Sequence, residues 1–468
     1  MRSISSRPRS VCSVPHGRAR SPWRGAALVL GLVAGLGGCS GPGEDAPPQD
    51  IEQTSQSLVF NVGNPLGWKL NTAGFARTAR AVGRIDTTNP FFQSLGTNGR
   101  SCNTCHQVGE GWSITPAGVR LRFWQTDGTD PLFQAFDMAN APSADVSTRE
   151  ARLAAYSLLL ERAVVRVGLP VKPDSEFELA AVDDPYGHAS AAQLSLFRRP
   201  LATTNLRLLG TLNWDGRTVL PADPTNLRQS LKNQANGATM NHAKPAAPIA
   251  DDVREAIVEF ETSITTTQQY GFRAGYLEAS GGLAGPELIL GAPLVGTGPD
   301  GTAVTGPAGF TLFAAWGETF GGSTAAKAEV AEGERLFNER PLGPSGVTCA
   351  SCHNATNVGG STGFRLFDVG VSAASRRAPN VPLYTFRNKA TGETLETTDP
   401  GRALISGKWS DMNKFKVPGL RSLAARPPYF HDGSAPTLAA VMDHYDTYFS
   451  PGFTADEKRK LVRFLEAL

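Results

Sequence analysis

Cys349-Ala350-Ser351-Cys352-His353 is the stretch that decides how this chain reads, and the same arrangement stands earlier as Cys102-Asn103-Thr104-Cys105-His106. C-x-x-C-H is the attachment signature of c-type haem: two thiols form thioethers to the porphyrin vinyls, and the next histidine ligates iron. The spacing has a physical reason. One short loop must present both sulfurs along a haem edge and then swing an imidazole beneath the ring. Two disulfides, or one zinc site built from both C-x-x-C pairs, would use the same cysteines. Neither needs a histidine directly after each pair, so the sequence predicts two covalently bound haems c. Cys102, Cys105, Cys349 and Cys352 are the attachment residues, and His106 and His353 the proximal iron ligands.

Working outward to the N-terminus, residues 1–38 read as an export signal. Six arginines and no acids flank a short apolar run, Ala26 to Leu36, too short for a stable bilayer anchor. The run ends Leu36-Gly37-Gly38-Cys39, which resembles the bacterial lipobox and makes Cys39 the candidate lipidation site; an ordinary cleaved signal with a chance cysteine is the alternative. Export fits the haem reading, because c-type haem is attached outside the cytoplasm. The expected location is the periplasmic side of a membrane, as an outer-membrane lipoprotein, or the cell surface. Losing the six signal arginines takes 45 basic residues to 39 against 43 acidic, a net charge of −4. Nothing is polybasic, so nucleic-acid binding has no electrostatic support.

Residues 39–59, rich in Pro, Gly and acid, suit a flexible tether. A first haem region spans 60–270, with helical periodicity over Thr148 to Arg166 (Leu153, Tyr156, Leu160, Val164) and Asp251 to Thr262. An aperiodic Gly/Pro/Thr-rich connection covers 271–323. The second haem region, 324–468, opens with a helix over Ala325 to Phe337 and closes with one from Thr454, where Thr454-Ala-Asp-Glu457 forms a capping box. Leu461, Phe464, Leu465 and Leu468 make that last helix's apolar stripe. No alternating strand runs stand out, so the expected fold class is mainly α: two cytochrome c-like haem domains with long loop insertions.

Phe415 to Tyr445 reads FKVPGLRSLAARPPYFHDGSAPTLAAVMDHY, with GVTCASCHNATNVGGSTGF around the second motif and NWDGR at Asn213 to Arg217. These segments resemble the bacterial dihaem cytochrome c peroxidases and their relative MauG. The resemblance implies one haem that is open, or can open, to meet peroxide and a six-coordinate haem that handles electrons. The sixth ligand of the latter sits near the end of the helix after the HDG turn, Met in most peroxidases and Tyr in MauG; here that position is Tyr445. His444 would be the stronger neutral ligand, and Met442 is also near. Leu438, Val441, Met442 and Tyr445 share a helical face, with His444 about 100° away. A phenolate would stabilise ferric iron, where a methionine raises the potential.

The family's distal Gln is matched by Gln229, but Thr239 stands ten residues later where peroxidases have Glu. His242 is the candidate acid–base substitute. No histidine lies between His106 and His188 to cap a resting first haem. Trp214 matches the family tryptophan near the gap between haems, as an electron relay or as core packing. A second tryptophan that precedes the MauG motif is Val347 here. At the family's inter-haem calcium, Arg199 and Arg426-Pro427-Pro428 stand where an Asn side chain and a carbonyl would bind, which argues against calcium. The implied activity is peroxide reduction at the first haem, with electrons reaching it through the second from a periplasmic donor such as a small cytochrome. MauG-like oxidation of an organic or protein substrate, and pure electron transfer, are the alternatives.

Overall fold

The computed structural model describes residues 67–81, 85–219, 226–291, 309–317 and 325–468. The expected signal peptide, Cys39, the tether and much of the 271–323 connection lie outside the described residues. The described chain falls within one compact unit, Pro48–Leu468.

Two strands, β1 (Trp68–Asn71) and β2 (Gly74–Arg80), open it. Helix α1 (Pro116–Thr126) follows, then α2 (Arg149–Ala155) and α3 (Ser157–Arg162). The periodic stretch 148–166 is therefore two helices, not one. Asn140 breaks it: its side chain donates to Ala154 O and Ser157 Oγ and accepts from Leu158 N, while its N–H takes Ala155 O. These bonds replace the helical ladder at Tyr156. The apolar stripe nonetheless buries as spaced, with Tyr156, Leu160 and Val164 all in the core.

Strands β3 (Val165–Leu169), β4 (Phe177–Asp183) and β5 (Leu194–Arg198) come next, then α4 (Leu227–Ala238) and α5 (Asp251–Ser263). Helix α5 runs directly into β6 (Ile264–Gly271), which turns into β7 (Gly275–Tyr276). The second half holds α6 (Ala325–Glu339), β8 (Leu366–Phe367), β9 (Leu383–Asn388), β10 (Thr394–Thr397), β11 (Phe415–Lys416), α7 (Leu438–Phe449) and α8 (Ala455–Glu466). Among the described residues these strands pair antiparallel, in sheets ordered β1-β2-β6-β7, β10-β9-β4, β11-β8 and β3-β5.

Helix makes up 38% and strand 17% of the structure, so helix predominates but strand is more than incidental. Strand β6, Ile-Thr-Thr-Thr-Gln-Gln-Tyr-Gly, shows why alternation missed it. Its first six residues are all buried, and two of its three threonine hydroxyls are paired: Thr266 Oγ1 bonds Thr78 and Thr204 hydroxyls at 2.8 and 2.9 Å, and Thr265 donates to Pro286 O, while Thr267 Oγ1 has no partner among the described residues. A β-branched strand buried on both faces has no apolar/polar period. Sheet β10-β9-β4 joins the two halves of the chain, with Leu179 opposite Phe386 and Phe177 packed on Phe386 at 5.4 Å.

Helix α8 has the capping box read from the sequence, and Leu461, Phe464, Leu465 and Leu468 are buried. It crosses α6 so closely that a Cβ on Gly333 would lie 2.1 Å from Lys460 O. Only glycine allows that approach.

Candidate functional site

Each C-x-x-C-H segment folds as a single helical turn. In the first, Cys105 and His106 both donate backbone N–H to Cys102 O at 3.1 Å; in the second, His353 N–H donates to Cys349 O at 3.0 Å. Hydroxyl residues hold both turns in the same way. Ser101 N–H donates to Thr104 Oγ1 and Thr348 N–H to Ser351 Oγ, at 3.0 and 2.9 Å. One turn puts the two sulfurs on one side and the imidazole just beyond, which is the arrangement a haem edge requires.

Both imidazoles are oriented by a backbone carbonyl. His106 Nδ1–H donates to Trp112 O at 3.1 Å, and His353 Nδ1–H donates to Gly359 O. With Nδ1 so engaged, Nε2 is the ring atom each histidine can offer as a ligand. Trp112 is fully buried against Phe91 and Phe260, donates Nε1–H to Thr78 Oγ1, and has φ +60°, the left-handed conformation that an aromatic residue rarely takes. Burial holds both histidines down to about 4, so they are neutral at physiological pH. It pushes the four thiols up, to about 12 for Cys349. All four are free cysteines, and the two C-x-x-C pairs are not brought together.

Each loop borders its own cavity. The first, about 240 Å³, is lined by Cys105, His106, Met138, Leu206, Leu231 and, opposite, Gln234, Asn241 and His242. The second, about 170 Å³, is lined by Cys349, Cys352, His353, Phe430, Met442 and Tyr445. Cys105 with His106 at the first cavity, and Cys349 and Cys352 with His353 at the second, fit a c-type haem in each, while Cys102 does not border the first cavity.

The sequence candidates distribute unequally. Tyr445 faces the second cavity, packed on the core of α7 and α8, and its hydroxyl has no hydrogen-bond partner among the described residues. Burial pushes its phenol pKa up. Met442 borders the same cavity. His444 does not: its Nε2–H donates to Val369 O at 2.8 Å. Trp214 borders both cavities and donates Nε1–H to Arg199 O at 2.8 Å. The next residue, Asp215, is fully buried between Arg198 and Arg217, and Arg198 also takes both oxygens of Asp399. These pairs lock the NWDGR loop against the second half of the chain.

Gln229 is not brought to the first cavity. It lies on another face of α4, donating to Asn233 Oδ1, while Leu231, Gln234 and Ala238 line the space. His242 does border it, and its Nδ1–H donates to Asp137 Oδ2 at 2.7 Å. Asp137 in turn accepts from Arg100 Nη1 through both oxygens, at 2.9 and 2.7 Å, with both side chains buried. No local pattern points to Asp137 or Arg100, because Asp137 meets His242 across 105 positions and Arg100 meets Asp137 across 37. Thr239 is buried and caps Ala235 O.

No family model matches the chain. It is 31% identical over 151 residues to the cytochrome c551 peroxidase of Nitrosomonas europaea, 32% of this chain and 36% of that protein. It is 36% identical over 133 residues to the cytochrome-c peroxidase IdrP2 of Denitromonas iodatirespirans, 26% and 35% of the two chains, and 31% identical over 118 residues to cytochrome c peroxidase Ccp of Escherichia coli, 25% and 20%. The chain thus spans about a third or less of the length of these relatives. A MauG-like protein associated with microbial copper homeostasis aligns at TM-score 0.32 and 16% identity over 60% of this chain and 75% of that one. Hydrazine synthase of Kuenenia stuttgartiensis aligns at 0.33 and 15%, over 72% and 86%. With two C-x-x-C-H loops beside these partial sequence matches, the chain is similar to the cytochrome c peroxidases over about a third of their length.

Proposed function

We propose that the protein is an exported dihaem c-type cytochrome that reduces peroxide at its first haem and passes electrons through its second. One observation carries this reading: each C-x-x-C-H turn delivers a carbonyl-anchored imidazole to its own cavity, and Trp214 borders both. Cys102 and Cys105 would hold the first haem with His106 as ligand, and Cys349 and Cys352 the second with His353 and Tyr445. Bound there, the haems supply the redox equivalents. The names of the matched relatives support an oxidoreductase of this type.

The chain's own part in the chemistry is proton handling and positioning. His242, held through Nδ1 by Asp137, has Nε2 free to take a proton from one peroxide oxygen and return it to the other, which leaves as water. Arg100 fixes Asp137 in turn, so Asp137 is a positioning residue. Gln234 and Asn241 offer hydrogen bonds to the bound peroxide. Trp214 spans the partition between cavities, where an aromatic ring shortens the electron path. The donor is a small periplasmic cytochrome, and the protein is tethered to the membrane through Cys39; among the described residues no helix is long and apolar enough to cross a bilayer. Tyr445 facing the second cavity favours, as a second reading, MauG-like oxidation of an organic or protein substrate.

The test is peroxide-dependent oxidation of a reduced cytochrome by the holoprotein, alongside its haem content. Two haems per chain and turnover are expected, and no turnover at full haem content overturns the reading. His242→Ala should slow turnover by about 10²-fold or more. Asp137→Asn should slow it less and shift its pH profile. An unchanged rate in His242→Ala removes the acid–base role.

A further inference from the structure

The partition between the two cavities is cationic. Arg199, Lys416 and Arg426 border both cavities, and Arg421 borders the first. Arg199, Lys416 and Arg421 are only 5%, 4% and 2% exposed. No aspartate or glutamate is among the residues lining either cavity. Arg198 and Arg217, also at the first, are a different case, since Asp215 and Asp399 neutralise them.

The four partition cations have no such ion pair among the described residues. Arg199 donates to the carbonyls of Arg162, Ile114 and Arg426. Arg421 donates to Ala284 O and leaves Nε and Nη1 without partners. Arg426 donates to Gly419 and Arg421 carbonyls and leaves Nε without one. Lys416 is anchored through its backbone, N–H to Trp214 O, and makes no side-chain hydrogen bond among the described residues. The acids that Arg199 and Arg421 sense, Glu110 and Glu334, are engaged by backbone N–H groups of Thr115, Leu312 and Phe313. Burial without counter-ions holds Lys416 down to about 7 and Arg199 and Arg421 to about 9. Buried charges in that condition require an opposite charge from elsewhere.

We propose that this partition is a carboxylate-binding site for haem propionates, with Arg199, Lys416 and Arg426 shared between the propionates of both haems and Arg421 serving the first. The proposal rests on the two-haem reading above. Each haem brings two carboxylates, so four anions would meet four cations, with no acid in the lining to compete. Guanidinium groups suit carboxylates as forked donors, and the lysine acts as a point charge between them.

The experiment measures both midpoint potentials of the holoprotein by spectroelectrochemical titration. Lys416→Met removes a positive charge shared by both haems, which disfavours the more negative reduced state at each. Both potentials should fall, by about tenfold in each reduction equilibrium, or 59 mV for a one-electron couple. Lys416→Arg should restore them, and Arg426→Gln, a second variant should the first fold poorly, should lower both again. Added inorganic phosphate should leave wild-type potentials unchanged. A shift at one haem only, or at neither, overturns the shared site. A phosphate response in wild type that Lys416→Met abolishes assigns the cations to a free anion instead. Fewer than two haems per chain, read from the haem absorbance alone, overturns the underlying two-haem reading, an outcome distinct from unmoved potentials at full haem content.

Discussion

Tyr445→Phe removes one oxygen atom and little else, so it separates two accounts of this residue by sign. The ring stacks on Phe449 at 6.0 Å and meets Phe430 edge-on at 5.9 Å, contacts that phenylalanine keeps. The hydroxyl has no protein partner among the described residues. Burying an unpartnered hydroxyl costs about 1–3 kcal/mol. If Tyr445 only packs, deleting the oxygen should therefore stabilise the holoprotein by about that amount and leave its spectra alone. If it ligates the second iron, the same change should give no such gain. It should convert one low-spin ferric haem to an open one, admit cyanide or carbon monoxide, and raise that haem's potential. Burial pushes the free phenol's pKa up, so a phenolate at neutral pH would itself be a sign of ligation. The assays are EPR of the ferric protein, exogenous-ligand binding and guanidinium unfolding. Tyr445→Met should give a still higher potential, because a thioether favours ferrous iron. Met442→Leu is the control, since Met442 borders the same cavity. An unchanged low-spin signal in Tyr445→Phe, together with a stability gain, refutes the ligand assignment, and loss of that signal in Met442→Leu transfers it.

Two further predictions concern stability. Glu261 is 3% exposed with Oε2 unpartnered, and burial pushes its carboxyl from 4.5 up to about 8. The folded chain then keeps this proton longer than the unfolded one, so its contribution is fully present below about pH 4.5 and is lost as pH rises toward 8, by up to about 5 kcal/mol. Glu261→Gln should flatten that slope in guanidinium unfolding curves compared across the same pH window; an unchanged slope would clear Glu261 of the effect. Gly333→Ala places a methyl against Lys460 O and Phe464 Cβ, forcing α6 and α8 apart. It should cost about 1–3 kcal/mol and lower Tm by several degrees.

Features legible in the chain are those whose geometry is closed within one helical turn. C-x-x-C-H fixes two sulfurs and an imidazole over five residues, and Thr454 caps its own helix. Along α7, helical periodicity alone separates Tyr445, facing the second cavity, from His444, bonded to Val369 O. Counting residues from a family motif served less well. Gln229 matches by spacing, yet helix phase turns Leu231, Gln234 and Ala238 toward the first cavity. Polarity misled in β6, where Thr265 and Thr266 are buried against Pro286 O and the Thr78 and Thr204 hydroxyls and leave no alternating pattern.

What remained out of reach of local reading depends on contacts that close only when distant segments meet. Asp137 meets His242 across 105 positions, and Arg199 meets Arg426 O across 227. Pairing of β4 with β9 joins the two halves of the chain. A lysine at 416 looks like any solvated cation until the fold buries it beside Trp214 between two cavities. Composition records its charge, but burial and the missing counter-ion are properties of the surroundings, and only packing supplies those.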